Sequence, residues 1–191
     1  MGDPDEHAHR TGYPDLATEP AAGIKGRILG QSAGLLRLDA IDATADAVTA
    51  MASQARRELN LLTPDLEPHL YDRQDFIDAV RRLAITRRGH LPVRLLLIHS
   101  DAAPQRSLRL IELARRLTSA VQIAVVPEEL AEQCDAFLLA DDEGYCLRRK
   151  ATPTQSLANF ADPGQVRALR REFDDIWQQA EPAVTLRRLH L

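Results

Sequence analysis

The sequence contains little cysteine, few aromatic residues and almost no lysine. Its two cysteines cannot form a disulfide framework, and aromatic residues make up only 4%, which leaves few side chains for stacking on nucleic-acid bases. No apolar run is long enough to cross a bilayer, and the acidic amino terminus lacks the basic and apolar regions of a signal peptide. These absences predict a cytoplasmic protein with reduced thiols and no membrane span.

Positive charge is carried almost entirely by arginine, and it is outweighed by acidic residues. A net charge of -4 gives no overall attraction to nucleic acid or to an anionic membrane. Two arginine clusters on predicted helices are open to two interpretations, a phosphate-binding strip or ordinary solvated helix faces. The second interpretation is favoured, so nucleic-acid binding is a minor hypothesis. The clusters comprise Arg81, Arg82, Arg87, Arg88, Arg106, Arg109, Arg115 and Arg116.

Apolar residues, at 45% of 191, are sufficient for one hydrophobic core. Residues 1–34 instead are rich in Gly, Pro and acidic residues without an apolar period, which predicts a flexible leader. Residues 35–191 are then predicted to form a single domain. His7 and His9 in the leader are interpreted as solvated, so neither a metal nor a cofactor is predicted.

Hydrophobic periodicity predicts helices that alternate with strands. Helical spacing covers residues 45–57, 74–87 and 107–117, and apolar runs predict strands at residues 58–63, 93–99 and 121–126. This alternation implies parallel pairing with right-handed crossovers. An antiparallel hairpin at 137–149 and a helix at 163–179 follow, and Val184, Leu186 and Leu189 predict an edge strand or a contact with a partner. The predicted fold class is α/β, with a mixed, mostly parallel sheet flanked by helices and a C-terminal antiparallel hairpin.

Residues 134–141 read CDAFLLAD, which has the spacing of the phosphodiesterase pattern HxKxxxxD. Asp141 keeps the acid of the pattern, whereas Cys134 and Ala136 stand where His and Lys belong. Over residues 45–179 the order of elements resembles one half of the phospholipase D superfamily. The matching segments are LNLLTPDL, VRLLLIHS, IELARRLTSAVQIAVV and CDAFLLADDEGY, followed by SLANF and FDDIW, which are similar to the family's Ser/Asn segment and closing helix.

The resemblance implies a histidine nucleophile, a second histidine as general acid, a lysine that neutralises phosphate and an aspartate that orients the imidazole. It also implies two half-sites, so a single half self-associates. With Cys134 and Ala136 in place of His and Lys, the motif is predicted to be degenerate and noncatalytic. Cys134 and Asp141 remain the candidate catalytic residues, and Ser156 and Asn159 are the candidate equivalents of the Ser/Asn segment.

The whole chain also resembles an uncharacterised bacterial domain associated with neighbouring or fused GNAT-type acetyltransferases. That resemblance implies a protein partner, with such an acetyltransferase as the candidate.

Polar residues follow the predicted strands, where the carboxyl ends of parallel strands open a crevice. Asp65, His69, His99 and Asp101 are therefore candidate ligand-binding residues, together with Asn159. The alternative is that the two aspartates are turn and cap residues and that His99 only ends a strand.

The sequence thus predicts a noncatalytic phospholipase D-like binding or assembly module of unknown ligand. The alternative is a divergent phosphodiesterase or nuclease that uses Cys134, or a metal at the strand-end carboxylates. Acidic neighbours of Cys134 oppose the first of these enzymatic routes, because a reactive thiolate needs positive surroundings.

Overall fold

The computed structural model describes residues 23–87, 90–99 and 108–183. Within these residues the strands are β1 Leu36–Leu38, β2 Leu59–Thr63, β3 Val93–Leu97, β4 Val121–Val125, β5 Ala136–Ala140, β6 Gly144–Arg148, β7 Ser156–Asn159 and β8 Glu181–Pro182. The helices are α1 Ile41–Gln54, α2 Pro68–Tyr71, α3 Gln74–Thr86, α4 Leu108–Arg116, α5 Glu128–Ala131 and α6 Pro163–Gln179. None of the helices described is long and apolar enough to span a bilayer.

The strands form one sheet in the order β1-β7-β6-β5-β2-β3-β4-β8. Only β2 with β3 and β3 with β4 pair in parallel, while all other neighbours in this sheet are antiparallel. The prediction of a mostly parallel sheet was therefore wrong. The reason lies in residues 126–135, which link β4 to β5 with only the short helix α5 between them. A parallel crossover needs a dozen or more residues, so the chain stays at one end of the sheet and β5 runs back.

The two faces of the sheet bury different helices, because side chains alternate along each strand. Leu59 and Leu61 belong to the cluster that packs against α1, α3 and α4. Leu62 and Phe137 belong to the opposite cluster, which packs against α6. Residues on one side of α6 recur at helical spacing to fill that second cluster, namely Val166, Leu169, Phe173 and Ile176.

Part of the predicted leader lies against the domain. Ile24 is buried, and the backbone N–H of Gly30 donates to the carbonyl of Phe160 at 2.7 Å. The Gln54 side chain on α1 accepts from the N–H of Leu29 at 2.9 Å and donates to the carbonyl of Arg27 at 3.0 Å. Residues 1–22 of the leader, and the predicted edge-strand residues Val184, Leu186 and Leu189, lie outside the described residues.

Candidate ligand pocket

A pocket of about 240 Å³ opens at the end of the sheet where β2 and β3 finish and β5 begins. Because β5 runs antiparallel to β2, the start of the motif segment lies beside the carboxyl ends of the two parallel strands. The lining residues come from four parts of the chain, and they are Pro64, Glu67, Ile98, His99, Ala131, Cys134, Ala136, Arg148, Arg149, Lys150 and Pro153.

His99 reaches the pocket because backbone pairing continues past the ends of β2 and β3. The N–H of Ile98 donates to the carbonyl of Thr63 at 3.1 Å, and the N–H of His99 donates to that of Pro64 at 2.8 Å. The loop after β2 then turns at Leu66, whose φ of 61° lies in the left-handed region while its side chain is fully buried. A leucine adopts this conformation only at an energetic cost, so its tight burial fixes the turn that leads to Glu67.

Cys134 occupies the position of the motif's histidine, and its thiol is held in the protonated form. The residue is buried, and its Sγ donates to the carbonyl of Leu130 at 3.2 Å. Burial raises the pKa of the Cys134 thiol, and the negative charges of Glu172 and Asp135 raise it further. Since the thiolate is the nucleophile, this environment opposes attack on phosphorus by Cys134.

Ala136 occupies the position of the motif's lysine, and the neighbouring strand brings a cation next to it. Arg148 on β6 is the cross-strand partner of Ala136. Its guanidinium makes an ion pair and hydrogen bond with Glu67, and its side chain is only 11% exposed. Burial lowers the pKa of Arg148, but the hydrogen bond and charge of Glu67 outweigh that effect and raise the pKa above its usual value.

Lys150 continues the basic run at the rim of the pocket. Its Nζ donates to the Glu132 carboxylate at 2.6 Å, and its backbone N–H donates to Asp135 Oδ1 at 2.9 Å. The hydrogen bond from Lys150 lowers the pKa of Glu132. Arg148 and Lys150 in the lining are thus each bound to a carboxylate.

The motif's retained acid lies at the opposite end of β5 from Cys134. The intervening strand places Asp141 about 20 Å away, at roughly 3.3 Å per residue. Its carboxylate accepts from the backbone N–H groups of Arg56, Arg57 and Glu58 at 2.7 to 3.2 Å. Asp141 is therefore bound to the start of β2, and it is not brought together with Cys134.

The other predicted site residues are spread over the molecule. Asn159 pairs with Tyr145 towards the Asp141 end, and its side chain accepts from the N–H of Ala161 at 3.1 Å. Ser156 is buried and accepts a hydrogen bond from Thr44 at 2.9 Å. Asp65 is half-buried next to Pro64 without lining the pocket, and His69 is exposed on α2.

Asp101 lies outside the described residues. Among the residues that the structure does describe, no three His, Cys, Asp or Glu side chains come together in a group suited to a metal ion.

Four pocket residues were not predicted from the sequence, namely Glu67, Arg148, Arg149 and Lys150. A signal for the basic residues was present in the hairpin. A tight turn at residues 141–144 fixes the register of β5 against β6, and counting outward from it places Arg148 opposite Ala136. Glu67 had no such signal, because its place depends on the unusual turn at Leu66.

Solved structures with a similar fold include NucT from Helicobacter pylori, with a TM-score of 0.53, 11% identity and coverage of 78% of this chain and 97% of that chain. Phosphatidylserine synthase of Haemophilus influenzae Rd KW20 has a TM-score of 0.52, 12% identity and coverage of 81% and 41%. TrmBL2, an archaeal chromatin protein, has a TM-score of 0.55, 19% identity and coverage of 77% and 53%, so this chain spans about half of TrmBL2.

NucT and phosphatidylserine synthase are phospholipase D family members, and the likeness to them confirms a phospholipase D-like fold. The chain itself belongs to the family described as a domain of unknown function, DUF7931, whose model matches residues 40–189. A comparison with curated proteins gave no match.

Proposed function

We propose that this chain is a noncatalytic, phospholipase D-like binding module whose ligand occupies the pocket at the start of β5. The observation that carries the proposal is the chemistry at the two altered motif positions. At one, a protonated thiol donates to the carbonyl of Leu130, and at the other, Ala136 offers no charged group. The pocket has a volume of about 240 Å³ and a basic rim, and these support binding rather than phosphoryl transfer.

Turnover of bis(p-nitrophenyl) phosphate by the purified chain tests the proposal. We expect no release of p-nitrophenol above the buffer rate, with or without added divalent metal, for the wild type and for Cys134→Ala. A wild-type rate that disappears in Cys134→Ala would refute the proposal, because the thiol would then carry the reaction.

One observation favours a divergent phosphodiesterase as the second candidate. His99 lines the same pocket as Arg148 and Lys150, so an imidazole and cations are within one cavity although neither is at its motif position. If the chain is such an enzyme, phosphodiester turnover is expected to be lost in His99→Ala and kept in His69→Ala. His69 is the control because it is exposed and does not line the pocket. If a divalent metal at Asp65 and Asp101 carries the reaction instead, turnover of the phosphodiester is expected to require the metal ion. Turnover is then expected to be lost in Asp101→Asn.

We further propose that the module acts through self-association or a protein partner, with a GNAT-type acetyltransferase as the candidate from sequence resemblance. Light scattering of the chain alone and after mixing with such an enzyme measures both associations.

Nucleic acid is not proposed as a partner. Arg82 donates to the carbonyls of Ala52, Ser53 and Ala55 at the end of α1, which supports a structural role for at least this member of the arginine clusters.

A further inference from the structure

We infer that Glu67 determines the ligand specificity of the pocket, because its carboxylate occupies the guanidinium of Arg148 and excludes oxyanions from it. The excluded ligands are phosphates, sulfates and carboxylates that would place their charged oxygens at Arg148. This inference rests on the proposed function and concerns the same pocket. It is supported by the place of Arg148 in the sheet, by its ion pair with Glu67 and by the turn that holds Glu67.

Arg148 brings a cation to the motif's altered lysine position. It is the cross-strand partner of Ala136, and both residues line the cavity. Side chains of directly opposed residues lie on the same face of a sheet, about 4.5 to 5.5 Å apart at Cβ. A guanidinium in this place has the planar donor geometry that suits carboxylate and phosphate oxygens.

Glu67 already supplies such oxygens from within the chain. Its carboxylate forms an ion pair and a hydrogen bond with Arg148, and it also lines the pocket. An incoming oxyanion would either displace this carboxylate from its cation or lie beside it as a like charge, and both arrangements are unfavourable. The ligand of the wild-type pocket therefore presents an uncharged group at this position.

The negative charge next to Arg148 comes from Glu67. Burial lowers the pKa of Arg148, whereas three nearby side chains in the described part of the chain raise it. These are Glu67, Tyr71 and Cys146. Burial raises the pKa of Tyr71, and it raises that of Cys146 to about 12, so both stay protonated near neutral pH. If Glu67 loses its charge, the buried guanidinium is expected to take an anion from solution in its place.

The backbone around Glu67 keeps the carboxylate in position. Leu66 before it has a φ of 61° and a fully buried side chain. The Glu67 carbonyl accepts from the N–H groups of Leu70 and Tyr71, both at 3.0 Å, at the start of α2. Glu67 is therefore a built part of the pocket wall, in contrast to a carboxylate on a long exposed side chain.

Calorimetric titration of the full chain with dimethyl phosphate tests the inference, because this monoanion is small enough for a cavity of about 240 Å³. Glu67→Gln keeps an acceptor oxygen beside Arg148 and removes the negative charge. We expect this variant to bind dimethyl phosphate at least about tenfold more tightly than the wild type. Trimethyl phosphate has a similar shape without the charge, and no gain is expected for it.

Glu132→Gln is the matched control, because it also removes a carboxylate that is bound to a basic residue of the lining. The side chains of Lys150 and Glu132 are 55% and 86% exposed, so water screens this pair, whereas Arg148 is only 11% exposed. A change of less than about twofold is expected. Glu67→Gln combined with Arg148→Met is expected to lose the gain, and it leaves no unpaired buried charge that would prevent folding.

Urea denaturation with and without dimethyl phosphate gives a second measurement, because a ligand of the folded state stabilises it. A midpoint that dimethyl phosphate raises in Glu67→Gln but not in the wild type, or folding of this variant that requires the anion, supports the inference. No gain in Glu67→Gln by either measurement, an equal gain in Glu132→Gln, or a gain that survives Arg148→Met would each overturn it. Phosphodiester turnover by the wild type overturns the proposed function whatever Glu67→Gln binds, whereas an inert chain whose Glu67→Gln variant ignores dimethyl phosphate overturns this inference alone.

Discussion

Asp141 holds two parts of the chain together through its carboxylate. The residue is buried, its φ of 53° lies in the left-handed region, and its side chain accepts from three consecutive N–H groups at residues 56–58. Arg170 from α6 donates to the Asp141 carbonyl at 2.6 Å. An aspartate is among the residues that tolerate a left-handed backbone, and only an acceptor satisfies these donors. The fold thus gives the motif's acid a structural role.

Asp141→Asn is expected to lower the free energy of unfolding by about 2 to 3 kcal/mol, because one carboxamide oxygen replaces two charged acceptor oxygens at a buried site. Urea denaturation measures the loss. Asp142→Asn is the control, since its carboxylate is 49% exposed. It pairs with Arg57 at 3.1 Å and with Arg170 at 3.3 Å, but these arginines also pair with Glu143 and Glu58, so less than about 1 kcal/mol is expected for the substitution. Equal losses for the two variants would contradict the structural role of Asp141.

Cys134 is expected to react slowly with iodoacetamide near neutral pH. Because burial and nearby carboxylates raise the pKa of the thiol, the reactive thiolate forms only as the pH rises above the usual thiol value of about 8.5. The rate of alkylation in a Cys146→Ala background, compared with that of glutathione from about pH 7 to pH 10, measures this. A rate that is already at its plateau near pH 7 would indicate a lowered pKa and would favour the enzymatic alternative.

Elements with strong local patterns were predictable from sequence, and strand order was not. α6 has the predicted bounds, because Pro163 marks its start and helical spacing its length. β5 begins one residue before the predicted hairpin, because a short apolar run marks this strand. β7 was seen only as a Ser/Asn segment, since its four residues carry no clear alternation and their strand conformation depends on pairing with β1 and β6. The length of the β4–β5 connection was visible in the sequence, but the position of β5 beside β2 depends on the folded sheet and has no local pattern.

The site residues divide in the same way, into those with a local sequence signal and those whose position depends on the folded sheet. His99 was identified because a polar residue at the end of an apolar strand is a local signal, and it does line the pocket. The separation of Cys134 from Asp141 follows from simple strand geometry once β5 is accepted. The ion pair between Arg148 and Glu67 joins residues 81 positions apart, and only the folded sheet brings them together.

Gly144, at the start of β6, has no room for a side chain because Leu29 and Asn159 lie against it. A Cβ there would lie 2.6 Å from Leu29 Cδ1 and 3.0 Å from the carbonyl oxygen of Asn159, and the second of these is backbone that cannot move freely. Gly144→Ala is expected to cost about 1 to 3 kcal/mol through this crowding. Gly164→Ala is the matched control in the first turn of α6, where the nearest atom is 3.5 Å away.

The control is expected to have the opposite sign, with Gly164→Ala raising the free energy of unfolding by about 0.5 to 1 kcal/mol through helix propensity. Chemical denaturation of both variants gives the two values. Destabilisation by both substitutions, or by neither, would contradict the assignment of crowding to Gly144 alone.

The two hydrophobic clusters share a single sheet, so we expect them to unfold together. Each central strand sends alternate side chains to both faces, and Arg94 on β3 links the sheet to α6 through a 2.8 Å ion pair with Asp174. The same guanidinium lies 4.9 Å from the ring centre of Phe173 and 5.5 Å from that of Trp177. Loss of α6 would expose the apolar second face and remove these contacts, which favours unfolding of the domain as one unit.

The single tryptophan makes this cooperativity measurable, because Trp177 reports on the second face while far-ultraviolet circular dichroism is dominated by helices on the first. The two signals are expected to give the same urea midpoint.

Phe173→Ala removes a fully buried ring and is expected to lower the free energy of unfolding by about 3 to 5 kcal/mol, with both midpoints moving together. Gln178→Ala on the exposed side of α6 is expected to move neither. A fluorescence transition that precedes the loss of helix would show that α6 separates first, and it would contradict unfolding of the domain as one unit.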